Sequence, residues 1–188
     1  MPKRERLMKE KTEQSEIDGV SLIAFRINPD SEAPEFYTLL VSREKDTALM
    51  VDDDLAFFIE FEHKQQAFEL LEEQIKQDFP VPDEVDLVAD LAATLYLIEN
   101  ETLDDSAIIL NCLNTIFDLL YTINTNLSDE RKNLLWKFAD HLTFEKEFGQ
   151  YLISNSISRE SLIDALIWCL GAIASRSKVL FYKENVLD

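Results

Sequence analysis

Glycine is nearly missing: Gly19, Gly149 and Gly171 are the only three in 188 residues, against a usual share of about 7%. Phosphate-cradling loops need several glycines close together so that successive backbone N–H groups can close around an anion. Neither G-x-G-x-x-G nor G-x-x-x-x-G-K-[ST] can be written from three glycines this far apart, which excludes nucleotide sites of those kinds. Cysteine is as scarce. Cys112 and Cys169 each sit inside an apolar helical run, where a thiol behaves as a small buried hydrophobe. A structural zinc site wants four soft ligands at short spacings, and a secreted scaffold wants more bridges.

There are two histidines, His63 and His141. A di-metal helical bundle needs two Glu-x-x-His motifs, and only one, Glu60-Phe61-Glu62-His63, can be written, so that reading fails for want of histidines. A G-x-S-x-G nucleophile turn is also missing, so Ser154, Ser156 and Ser158 have no placed base. Long apolar runs are lacking too. The stretch from Leu162 to Ala174 is too short to span a bilayer and carries Asp164. The basic start, Met1 to Glu10, is followed by no apolar segment of a secretory signal. These absences predict a cytoplasmic chain with no cofactor and no membrane partner.

What is abundant is negative charge, with 37 acids against 18 bases and a net charge of −19. Hydrophobic residues at 46% are too many for a disordered acidic chain. The charge is unevenly spread. Residues 1–14 carry five bases and three acids, and residues 128–188 are nearly balanced with eight bases and nine acids. Between Gln77 and Glu130 twelve acids fall with no Lys or Arg. Such a field repels nucleic acid and anionic surfaces and steers cationic partners. Direct DNA or RNA binding, which needs bases to neutralise phosphates, is not expected.

The hydrophobic pattern predicts an α+β chain: a four-stranded antiparallel meander followed by a bundle of five to six helices. Residues 1–16 read as a mobile charged arm, 17–80 as the sheet with one helix, and 81–188 as the helical part, packed with the sheet as one unit. The strands are expected at Val20–Ile27, Glu35–Arg43, Thr47–Val51 and Leu55–Phe61, separated by Asn28-Pro29-Asp30, Glu44-Lys45-Asp46 and Asp52-Asp53-Asp54. Alternation puts Ile23, Phe25 and Ile27 on one side with Tyr37, Leu39 and Val41. The other side still carries Leu22, Ala24, Phe36, Leu40 and Phe58, so both faces should be covered. One is expected to meet the helices, the other the arm or a second copy of the chain, which would make a homodimer.

Helical periodicity predicts helices at 63–77, 84–99, 104–124, 128–141, 143–153 and 158–179. Phe79-Pro80-Val81-Pro82 breaks the first from the second. Ser128 and Ser158 read as N-caps.

Each candidate site has a bland and a functional reading. Asp52, Asp53 and Asp54 are a polar turn or a divalent-cation site, although they lack the alternating acids and central glycine of a calcium loop. Asp104 and Asp105 are helix caps or part of an acidic face. Asp86 and Asp90, read as i,i+4 on a helix, would repel mildly. Asp83 and Glu84 lie at the start of the base-free stretch. His141 with Glu145 is a helix-end pair or an acid–base pair. Asn111, Asn114 and Asp118 share one narrow stripe of an otherwise apolar helix, which either faces water or lines a polar groove.

The leading expectation is a non-enzymatic interaction module that binds a basic protein partner: an adaptor, a chaperone-like module or an inhibitor of the immunity type. Its acidic face would be anchored by aromatics such as Phe36, Phe58 or Tyr96. The alternatives are an enzyme or metal-binding protein with a carboxylate-lined pocket, and a DNA mimic.

Overall fold

A computed structural model of the chain describes residues 16–100, 106–123, 130–144 and 148–182. The β-branched and aromatic run after Asp18 forms β1 (Gly19–Arg26), which pairs antiparallel with β2 (Phe36–Ser42). The connection between them is closed by side chains. Asn28 Oδ1 accepts the Asp30 N–H at 3.0 Å, and Glu35 Oε2 accepts the Ile27 N–H at 2.7 Å. Backbone donors hold the Glu35 carboxyl below its ordinary range. β3 (Thr47–Ala48) adds to the free edge of β2.

There the chain leaves the expected meander. Thr47 to Val51 is one extended run in sequence, yet it divides at Leu49 between two sheets. β4 (Met50–Val51) forms a hairpin with β5 (Asp54–Phe57) in a second sheet. Two further strands stand where helix was expected. β6 (Leu87–Asp90) runs parallel to β1, and β7 (Ser177–Val179) runs parallel to β5. The sheets are therefore β3-β2-β1-β6 and β4-β5-β7, each mixed, in place of four antiparallel strands. An isolated bridge between Tyr37 and Phe58 and a 2.7 Å hydrogen bond from Thr38 Oγ1 to the Ala56 carbonyl join them.

The face assignment needs a correction of one residue on β2. Leu22 lies opposite Leu39 and Ala24 opposite Tyr37, so Tyr37, Leu39 and Val41 share a core with Leu22 and Ala24. Ile23 and Phe25 point the other way, with Leu40. Because side chains alternate with period two, a slip of one residue exchanges the faces of a whole strand.

Both faces are covered, as the mixed alternation predicts. One packs on the helices α3 (Leu91–Asn100), α4 (Ser106–Thr122), α5 (Glu130–Phe144), α6 (Phe148–Asn155) and α7 (Arg159–Ala174). The other is covered by a further part of the same chain; the arm expected there lies outside the described residues apart from Glu16. Residues 61–85 form this cover, with Phe68, Leu71 and Ile75 buried and Phe79, Val81 and Val85 packed alongside. The single helix expected at 63–77 is a 3-10 turn (Phe61–His63) followed by α1 (Lys64–Phe68) and α2 (Glu73–Asp78). Lys76 Nζ donates to the Glu69 carbonyl at 3.2 Å and pins the bend between α1 and α2.

The remaining helices begin and end at local signals. Asp90 Oδ1 accepts the Ala93 N–H at 2.8 Å, so α3 starts at Leu91 and not at 84. Ser158 caps α7 by accepting the Ser161 N–H, as expected. α7 stops at Ala174, where Ser175 Oγ donates to the Ala172 carbonyl before the turn into β7. The expected cap at Ser128 lies outside the described residues. No helix among the described residues is long and apolar enough to cross a membrane.

Candidate functional site

The acidic positions singled out in the sequence do not converge on one place. Asp52 and Asp53 have φ of 49° and 66° and form the two-residue loop of the β4–β5 hairpin. Paired positive φ values there mark a primed turn, which aspartate tolerates better than most side chains. The triplet is matched by cations of its own chain. Lys178 Nζ lies 2.8 Å from Asp52 Oδ2, Arg176 donates to the Asp53 carbonyl at 2.7 Å, and Arg176 Nε is 3.5 Å from Asp54 Oδ1. This turn closes a hairpin, and the carboxylates of Asp52 and Asp54 are partnered by Lys178 and Arg176.

Asp83 and Glu84 are exposed on the segment that wraps the second core, where Lys64 Nζ donates to the Asp83 carbonyl. Asp104, Asp105 and Glu145 lie outside the described residues. His141 stacks on Tyr151 with ring centroids 4.7 Å apart, and His63 rests on Phe181 at 5.2 Å. Both cysteines are free and buried, and burial pushes the Cys112 thiol up to about 12, far from a reactive thiolate. Among the described residues no group of three His, Cys, Asp or Glu side chains is arranged to hold a metal ion. Of the expected aromatic anchors, Phe58 is fully buried, Phe36 is half-buried and Tyr96 is exposed. Phe58 is therefore unavailable to a partner.

The stripe on α4 is where polar groups gather. α4 lies across β6 and β3, and its apolar residues Ile109, Cys112, Leu113 and Ile116 fill the core. That rotation leaves Asn111 and Asn114 exposed and Asp118 half-buried at the flank of the helix. Facing them are Ser21 of β1, Ser42 of β2, Asp46 of the β2–β3 turn and Asp86 at the start of β6. Together they line a recess of about 280 Å³. All three residues of the stripe line this recess, Asn111 and Asn114 where they also meet water and Asp118 half-buried.

Geometry fixes two of these carboxylates. Asp86 Oδ2 accepts the Leu22 N–H at 2.7 Å and Asp46 Oδ1 accepts the Arg43 N–H at 3.1 Å. At the other end Thr122 Oγ1 accepts the Ala48 N–H at 2.9 Å, docking α4 on β3. Asp118 has no ion-pair partner among the described residues. Burial, reinforced by the Asp46 carboxylate, pushes its pKa up to about 6. The recess is an acidic notch with no cationic side chain in its lining.

Asp46 and Asp86 carry no sequence signal for this role. Asp46 reads as part of a tight turn and Asp86 as a helical residue. Only the parallel pairing of β6 with β1 brings Asp86 to the α4 stripe. Comparison of the chain with protein-family models, with curated proteins and with solved structures gave no match.

Proposed function

We propose that the protein is a non-enzymatic interaction module that takes a basic segment of a protein partner into the recess between α4 and the sheet. The observation that carries this reading is Asp118, a half-buried carboxylate with Asp46 as a like-charged neighbour and no cation beside it. A guanidinium or ammonium group delivered there relieves the repulsion and finds acceptors already fixed by backbone donors. The amides of Asn111 and Asn114 supply donors and acceptors at the rim. The base-free stretch from Gln77 to Glu130 steers such a segment to this side of the molecule. The turn at Asp52–Asp54 is a poorer docking point, because Arg176 and Lys178 already answer its charge.

Affinity capture from native lysate at low salt, run in parallel on three forms of the chain, tests the proposal. A partner that elutes in a salt gradient should be retained by the wild type and by Asp52→Asn/Asp53→Asn. It should be lost from Asp46→Asn/Asp118→Asn. Loss from the turn variant with retention by the recess variant would refute the assignment.

A further inference from the structure

A second cavity lies on the same side of the sheet but at its opposite end, and its chemistry is unlike that of the recess. It has a volume of about 480 Å³, within the range of small-molecule sites and far above the voids that a packed interior leaves. It sits beyond the carboxyl ends of two parallel strand pairs, β1 with β6 and β5 with β7, where sheets joined by helices open crevices for ligands. Phe25, Phe57, Leu91, Ile116, Leu119 and Ile173 are among the apolar side chains of its wall. At its mouth Ile27 and Val179 are 49% and 44% exposed, so apolar surface is presented to water on both sides of the opening.

The polar groups of the lining settle the class of ligand. Ser177 donates its hydroxyl to the Ile173 carbonyl at 2.7 Å, and the Lys178 ammonium is held by Asp52 at 2.8 Å. The hydroxyl is thus committed to the backbone, and the ammonium charge, although two of its three N–H groups are not used by Asp52, is already answered by a carboxylate. Asp52, Asp53 and Asp54 stand beside Lys178 on the adjoining hairpin, and the molecule as a whole carries −19. An anionic head group entering here meets repulsion, while a hydrocarbon loses nothing. The geometry points to a binding site for an uncharged, hydrocarbon-rich small molecule, such as an aliphatic alcohol or an aromatic hydrocarbon. This site is independent of the recess: it shares α4 but none of its lining residues.

Titration of the full chain with the neutral fluorophore N-phenyl-1-naphthylamine tests it. Saturable enhancement at one probe per chain is expected, with displacement by decanol. Decanoate at pH 8 should displace at least about tenfold less well, the difference that about 1.4 kcal/mol of charge repulsion makes. Ile27→Trp and Val179→Trp, both at the solvent-facing mouth, should each weaken probe binding by at least about tenfold while thermal unfolding stays close to that of the wild type. The inference is overturned by any of four results. These are no saturable binding, wild-type affinity in both tryptophan variants, equal displacement by decanoate, or binding only in a chain ending at Tyr182, which would assign the cavity to residues 183–188.

Discussion

At the scale of single residues, neighbours decide the behaviour of each acid more than its count in the sequence does. Asp52, Asp90 and Asp118 are all aspartates near helices or turns, and each has a different fate. Asp52 is answered by Lys178, and Asp90 is held by Arg26 at 2.6 Å while it caps α3. Asp118 is left half-buried beside Asp46. Its pKa stands at about 6 against 3.8 for the free side chain, so between those values the folded chain holds a proton that the unfolded chain has released. Stability contributed by this group therefore falls as pH rises through that window and stays flat above it. Asp118→Asn should raise stability at pH 7.5 and leave it nearly unchanged at pH 4. The full difference would approach about 3 kcal/mol in a dry site, and solvent reaching this side chain reduces the expected gain to about 1 kcal/mol. Urea unfolding at the two pH values checks it. A variant that gains equally at both would show that packing, and not the charge, is what the substitution relieves.

At the scale of elements, the junction of β6 and α3 holds two layers together through one carboxylate. Asp90 ends the strand, pairs with Arg26 on β1 and accepts the N–H of Ala93. Asp90→Ala removes the cap and leaves the Arg26 guanidinium without its partner at a side chain only 31% exposed. A loss of about 2–3 kcal/mol is expected in chemical denaturation, with Asp90→Asn recovering the cap portion. The same junction shows what a linear reading can and cannot reach. The strands β1 and β2, the helices from α3 to α7 and the double-sided burial of the sheet all follow from periodicity. β6 and β7 do not. Each has three or four residues, is followed or preceded directly by a helix, and is extended only because a distant strand supplies parallel partners. Tertiary pairing overrides local preference there. The slip of β2 has a related cause: Tyr37 to Val41 are all buried, so neither parity reads as polar and alternation cannot choose a face. In the candidate site, Asn111, Asn114 and Asp118 are legible as a stripe on α4. Asp46 and Asp86 are not, because their position depends on where β3 and β6 join the sheet.

Across the whole molecule, the charge of −19 resolves into acids that are answered internally and acids that are not. The β4–β5 hairpin is matched by Arg176 and Lys178, whereas the lining of the recess beside Asp46, Asp86 and Asp118 holds no Lys or Arg. The apolar cavity at the other end of the sheet places a second, uncharged chemistry on the same side of the fold. The two proposed sites together would discriminate by charge at one end and by exclusion of charge at the other. The central claim is that cationic groups dock in the recess. An NMR titration of the labelled chain with a short arginine- and lysine-rich peptide addresses it most directly. Amide shifts at Asp46, Asp86, Asn111, Asn114 and Asp118 that saturate in low salt and collapse in about 1 M salt, where screening acts within about 3 Å, are the predicted result. Shifts centred on Asp52–Asp54, or spread evenly over the acidic surface with no preference for α4, would contradict it.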